Sequence, residues 1–226
     1  MHFHLPKPLH GWRAFTGEVG IIVIGVLIAL GAEQLVENWR WRSHVVEAKD
    51  DLKSELYDAL YQSRERSAGQ ACVERKLERL ETLIDRPSPP AVPIGLNIAP
   101  IRPWSTSAWD SVIASEAVTH MRPDERTQYA GIYSMIRSTH DLNMDEFKAG
   151  TELAMLRHGG PLSEQTQDRL RSTIAQLRGY NAILGLGGAQ MSRKIHELGI
   201  ELKPEDELAI IGRHCRMPDE PDIGIP

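Results

Sequence analysis

The alternation of apolar and polar positions breaks the chain into unlike parts near its start. Val19–Ala32 is an uncharged run of 14 residues, short for a membrane span when taken alone. Its flanks lengthen it, because 14–17 and 34–36 are also uncharged; 14–36 then offers 23 positions with Glu18 and Glu33 near the ends. At 1.5 Å per residue this reaches about 35 Å, enough for a hydrocarbon core of about 30 Å. Trp12 and Trp39 bracket the run, with Trp41 just beyond, in the manner of membrane-interface tryptophans. Two other readings compete. Lys7, Arg13 and the small-x-small triplet Ala29-Leu30-Gly31 suit a cleavable signal peptide, and 14 apolar residues suit a buried soluble helix. The apolar pattern continues unbroken through Leu35, Val36 and Trp39, which favours an uncleaved anchor. Orientation is closely balanced, with Lys7 and Arg13 before the run and Arg40, Arg42 and Lys49 after it; the tail 1–13, which has no acid, favours the N-terminus inside and the bulk of the chain outside, periplasmic in a Gram-negative cell.

After the span, Leu52, Leu56, Leu60, Val73, Leu77, Leu80 and Ile84 recur mostly at spacings of three and four. That predicts one long amphipathic helix over 37–85, with Gly69 as a candidate kink. Residues 86–103 hold Pro87, Pro89, Pro90, Pro93, Pro100 and Pro103, which predicts an extended linker or wrapping arm. Within 104–217 the expected helices run from Ser107 to about His120, from Pro123 toward Arg157, and from a Ser163 cap to Leu198 before Gly199. Gly159-Gly160-Pro161 separates the last two. A short helix follows Pro204, and 218–226 is a tail. The fold class is therefore all-α: a single transmembrane helix continuing into a long amphipathic helix, packed in an antiparallel helical bundle.

Charge narrows the partners. The first 42 residues take four of the 26 basic and three of the 31 acidic residues, leaving a net of −6 for the rest. An acidic domain without a basic face excludes nucleic acid as a partner. Partners are then the lipid bilayer and either a second copy of the chain or another membrane protein. Glu18, Gly25 and Ala29 fall on one face of the span, and Gly25 with Ala29 makes a small-xxx-small pair that permits close helix approach. Glu18 near the headgroups can equally be idle.

No catalytic constellation, cofactor site or metal site is expected. Gly185-Leu186-Gly187-Gly188 lacks the third glycine of a dinucleotide loop and follows no strand, so it reads as a helix-packing or bending element. The histidines lack zinc-ligand spacing. Trp109, Tyr129 and Tyr133 are candidates either for a ligand pocket or for core. Cys72 and Cys215 permit one disulfide in an oxidising compartment, against the alternative of two free thiols.

The run GEVGIIVIGVLIALGAEQLVENW resembles the N-terminal signature of a family of uncharacterised bacterial membrane-anchored proteins. The positions that carry it are Gly17-Glu18, Ile28-Ala29-Leu30 and Asn38-Trp39. TSAWDSVIASEAVTHM with Trp109, Ser115, Tyr129 and Tyr133 is similar to that family's middle region, except that Glu116 stands where a glycine is expected. The resemblance implies an inner-membrane protein and supplies no catalytic residue. The functional expectation is a non-enzymatic interaction or scaffolding module; a ligand-binding, sensor-like domain is the second reading, and an enzyme with an unrecognised site the third.

Overall fold

The computed structural model describes residues 11–92, 98–99 and 101–211. Every regular element among them is helical. Helix α1 spans Gly11–Ile84, 74 residues without interruption, so the expected membrane segment and amphipathic helix are one element. Gly69 does not break it. The helix ends just before Pro87, Pro89 and Pro90, which cannot donate the N–H that another turn needs.

The proline-rich arm packs rather than dangles. Val92 donates its N–H to the Leu156 carbonyl at 3.0 Å, and Gly160 donates to the Pro89 carbonyl at 2.9 Å. Val92, Ile98 and Ala99 are buried.

Helix α2 covers Ser107–Ala114 and stops earlier than the pattern predicts. Glu116 adopts the left-handed conformation at φ 61°, and Ala117–His120 follows as a 3-10 turn. Helix α3, Pro123–Thr151, starts on its proline with Asp124 and Glu125 in the first turn, as expected from the helix dipole. It tightens into the 3-10 segment Glu152–His158, and the chain turns through Gly159 and Gly160, both at positive φ. Helix α4 is Glu164–His196, and the Ser163 hydroxyl accepts the Thr166 N–H at 3.2 Å as its N-cap. Gly199 at φ 74° follows it, and helix α5 is Pro204–Ile211.

The main packing partner of α1 is α4. Along α1, Ser63, Ser67, Gln70, Glu74 and Ile84 meet Met191, Gly185, Asn181, Arg178 and Gln167 in turn. The glycines of α4 make this approach possible. A Cβ on Gly188 would sit 2.8 Å from the Ser63 carbonyl oxygen, and one on Gly185 would meet the Gln70 side chain at 2.5 Å. The Gly-Leu-Gly-Gly run is a packing element.

Two apolar clusters flank this crossing. One gathers Leu52, Leu56, Trp109, Ile132, Tyr133, Met191 and Ile195; the other gathers Leu77, Leu80, Leu83, Leu153, Leu170 and Ile174. A buried polar layer lies between them, with Ser63, Glu65, Arg66, Asn143, Glu146, Asn181 and Ser192.

Candidate functional site

The first part of α1 is the one described helix long and apolar enough to cross a membrane, and its most apolar window is entirely unburied. Glu18, Gly25 and Ala29 are exposed, and a Cβ on Gly25 would meet nothing within 4 Å. Trp12 and Trp39 are likewise exposed. Trp41 differs. It is half-buried and stacks on His120 with ring centroids 3.9 Å apart and planes 14° from parallel. This contact ties the 3-10 turn Ala117–His120 to α1 five residues beyond Val36.

Beside the stack lies a cleft of about 850 Å³, within the ordinary range for ligand sites. One wall is α1 from Ala32 to Asp51, and the other is α2 with Ala117. Ala32, Val36 and Trp41 make its apolar end. Glu33, Glu37, Glu47 and Asp51 face it together with one permanent cation, Arg40, and the hydroxyls of Ser111 and Ser115 stand opposite. Glu37 and Arg40 form no ion pair among the described residues.

Glu55 fixes the far wall. Its carboxylate accepts the hydroxyls of Ser105 and Ser107 at 2.6 and 2.8 Å and the Ala108 N–H at 3.1 Å, at the N-terminus of α2. Partial burial works to raise the Glu55 carboxyl, but the bonds from Ser105, Ala108 and Ser107 outweigh it and leave the group below its usual range. No local pattern marks Glu55, because its partners lie some 50 positions away.

Trp109, Tyr129 and Tyr133 do converge, as closed core rather than as a pocket. Trp109 stacks on Tyr133 at 5.3 Å and on Tyr129 at 6.3 Å. All three are buried, and none lines a described cleft. Burial, then the nearby Glu55 carboxylate, pushes the Tyr133 hydroxyl far above its ordinary value. That hydroxyl faces the Glu55 carboxylate.

The polar layer contains a group that periodicity could not reveal. Arg66 Nη2 donates to Glu146 Oε1 at 2.6 Å, with both side chains about 5% exposed. Asn143 reaches the same carboxylate, and Arg102 bonds both Glu65 oxygens at 2.6 and 2.7 Å. Burial lowers the Arg66 guanidinium and raises the Glu146 carboxyl, each opposed by the charge of the other. The pair closes the layer between α1 and α3.

No group of three His, Cys, Asp or Glu that could hold a metal occurs among the described residues. Cys72 is disulfide-bonded. Cys215, the other cysteine of the sequence, lies outside the described residues. No protein-family model, curated protein or solved structure matches the chain.

Proposed function

We propose that this chain is a single-pass protein of the bacterial inner membrane, a non-enzymatic module for interaction or scaffolding in the cell envelope. Its helices form an antiparallel bundle carried on the extension of the span, in keeping with the membrane-anchored family that its N-terminal run resembles. The observation that carries this reading is the change of environment along one unbroken helix. In α1 no residue of the most apolar window is buried, whereas Leu52, Leu56, Leu60, Val73, Leu77, Leu80, Leu83 and Ile84 further along the same helix are core. An apolar surface of that size is compatible with water only if something covers it, and lipid fits its length.

The bundle lies on the periplasmic side in this proposal. The basic N-terminal tail favours it, and the Cys72 disulfide fits an oxidising compartment. The span associates with a second copy or another membrane protein through Glu18, Gly25 and Ala29. A ligand-binding role is the second reading, and it is favoured by the cleft beside Trp41 rather than by the aromatic core.

Membrane fractionation combined with protease accessibility tests the proposal. The full chain should stay in the pellet through carbonate and high-salt washing, should be digested in spheroplasts, and should survive protease in intact cells. Release by salt alone would sink the anchor. Protection in spheroplasts, or free thiols in membranes alkylated at harvest, would reverse the orientation.

A further inference from the structure

One unbroken helix carries the face of the span that holds Gly25 and Ala29 beyond the apolar segment. From Ala29 the same alternating steps of three and four reach Ala32, Val36, Trp39, Ser43 and Val46. All five are exposed, and Val36, Trp39 and Val46 are 60% exposed or more. Val46 lies ten residues after Val36, about 15 Å along the helix. That is past a headgroup layer of about 5–8 Å and into water. The bundle leaves this stripe open. Ser43 stands nine residues before Leu52, about two and a half turns, so it points half a turn away from the face that Leu52 buries.

We propose that two copies of this chain pair in parallel along α1, the contact of their spans continuing through Trp39, Ser43 and Val46 and held by Arg42 of each copy on Glu47 of the other. The proposal rests on the membrane-anchored reading and commits its association to a second copy. Two copies inserted in one membrane with the same orientation have parallel spans. Steps averaging 3.5 residues are the repeat that keeps a seam turned toward a partner helix in a left-handed pair. In a parallel pair, the residue just before one seam position meets, on the other helix, the residue just after the following seam position, five places on. Arg42 precedes Ser43 and Glu47 follows Val46, so the two stand in that relation. Both are exposed, and neither has an ion pair among the described residues.

Symmetry selects the occupant. A two-fold contact must be self-complementary. A chain that carries both the cation and the carboxylate at this spacing meets that condition twice, once on each side of the seam. The contact also has an end. Asp50 holds the next seam position after Val46, where it would face the same carboxylate of the second copy, and like charges there oppose further pairing.

The test uses the full chain. In isolated membranes under mild oxidation, Val46→Cys should give a disulfide-linked dimer, whereas Gln190→Cys, exposed on α4, should not. In mild detergent, sedimentation should show a dimer of the unmodified chain. Arg42→Glu should weaken it about tenfold, because an exposed ion pair is worth about twofold in affinity and two attractions become two repulsions. Adding Glu47→Arg to Arg42→Glu should restore the original affinity, a recovery that a merely misfolded variant would not show. A monomeric unmodified chain, Val46→Cys linked only to a different protein, unchanged affinity in Arg42→Glu, or a double variant as weak as the single one would each overturn the proposal. Failure of the anchor would show separately, as an unmodified chain that leaves the membrane pellet in carbonate.

Discussion

Replacing Gly188 by alanine isolates the closeness of the α1–α4 crossing. Two opposing effects act at once. Alanine favours the helix over glycine by about 1 kcal/mol. The new Cβ, however, would lie 2.8 Å from the Ser63 carbonyl oxygen and 2.9 Å from the Ser67 hydroxyl. Backbone cannot swing aside as a side chain can, and the Ser67 hydroxyl already bonds the Ser63 and Gly185 carbonyls at 3.0 and 3.1 Å. Overpacking of this kind costs about 1–3 kcal/mol. Gly187→Ala supplies the reference, because its Cβ would meet nothing within 4 Å and only the propensity gain remains. Subtracting the two removes propensity and leaves the packing cost, about 2 kcal/mol at its centre, or about 6 °C in Tm for a chain of this size. Gly185→Ala should fall between them, since the Gln70 side chain it meets can rotate away. Thermal unfolding of the full-length variants in mild detergent, followed by circular dichroism, reads the order. A Gly188→Ala protein as stable as Gly187→Ala would mean the helices are not in close contact there, and the packing role given to the glycines would fail.

Glu146→Ala should destabilise the protein by about 3–5 kcal/mol by leaving Arg66 buried and unpaired, whereas the double change Arg66→Met, Glu146→Leu should recover most of that; equal losses in both would mean the charges are not truly buried. Glu55→Gln should cost about 1 kcal/mol at pH 7. A carboxyl whose folded pKa is depressed stabilises above its unfolded value, near 4.3, and loses that contribution as pH falls through the folded value; urea curves at pH 7 and pH 3 should therefore converge in acid, and a pH-independent gap would refute the assignment. Glu116→Gly should raise stability by about 0.5–1 kcal/mol, because glycine is unstrained at φ 61°; a lower Tm would show that the Glu116 side chain has an unrecognised contact. In a membrane reporter assay Gly25→Leu or Ala29→Leu should weaken association of the span, and unchanged signal in both would make the small residues incidental.

What the sequence discloses is local, and what it conceals depends on long-range pairing. The long first helix, the proline arm, the Ser163 cap and the stops at Gly159 and Gly199 follow from residue types acting within one or two turns. The glycine run on α4 was legible as a packing element, although its partner Ser63 was not. The early end of α2 left a faint trace: the family resemblance asks for glycine where Glu116 stands, and the backbone there is left-handed. Arg66 and Glu146 left none. Each looks like an ordinary charge on an amphipathic helix, and only the α1–α3 contact across 80 positions makes them a buried pair. Trp41 depends on long-range pairing too. Its neighbour Trp39 is exposed, while Trp41 turns the other way and meets His120, a partner no spacing rule names. The cleft charges Glu37 and Arg40 were visible only as flanks of the span, because the wall that makes them a site comes from α2.

The continuity of α1 also relates the proposed association of the span to the position of the soluble region. Gly25 and Leu52 are 27 residues apart, as are Ala29 and Leu56. At 3.6 residues per turn this is about seven and a half turns. The small-residue face of the span therefore points about half a turn away from the face that Leu52 and Leu56 bury in the core. Two spans meeting through Gly25 and Ala29 would carry their α3 and α4 helices on the outside, where neither blocks the approach of the other. Arg40, 15 residues after Gly25, falls about a sixth of a turn from the contact face, and Ala32 and Val36 lie on that face, so the cleft beside Trp41 would open at the seam between two spans. An anchor that served only to hold the soluble region near the membrane would need neither this orientation nor the unbroken helix that transmits it.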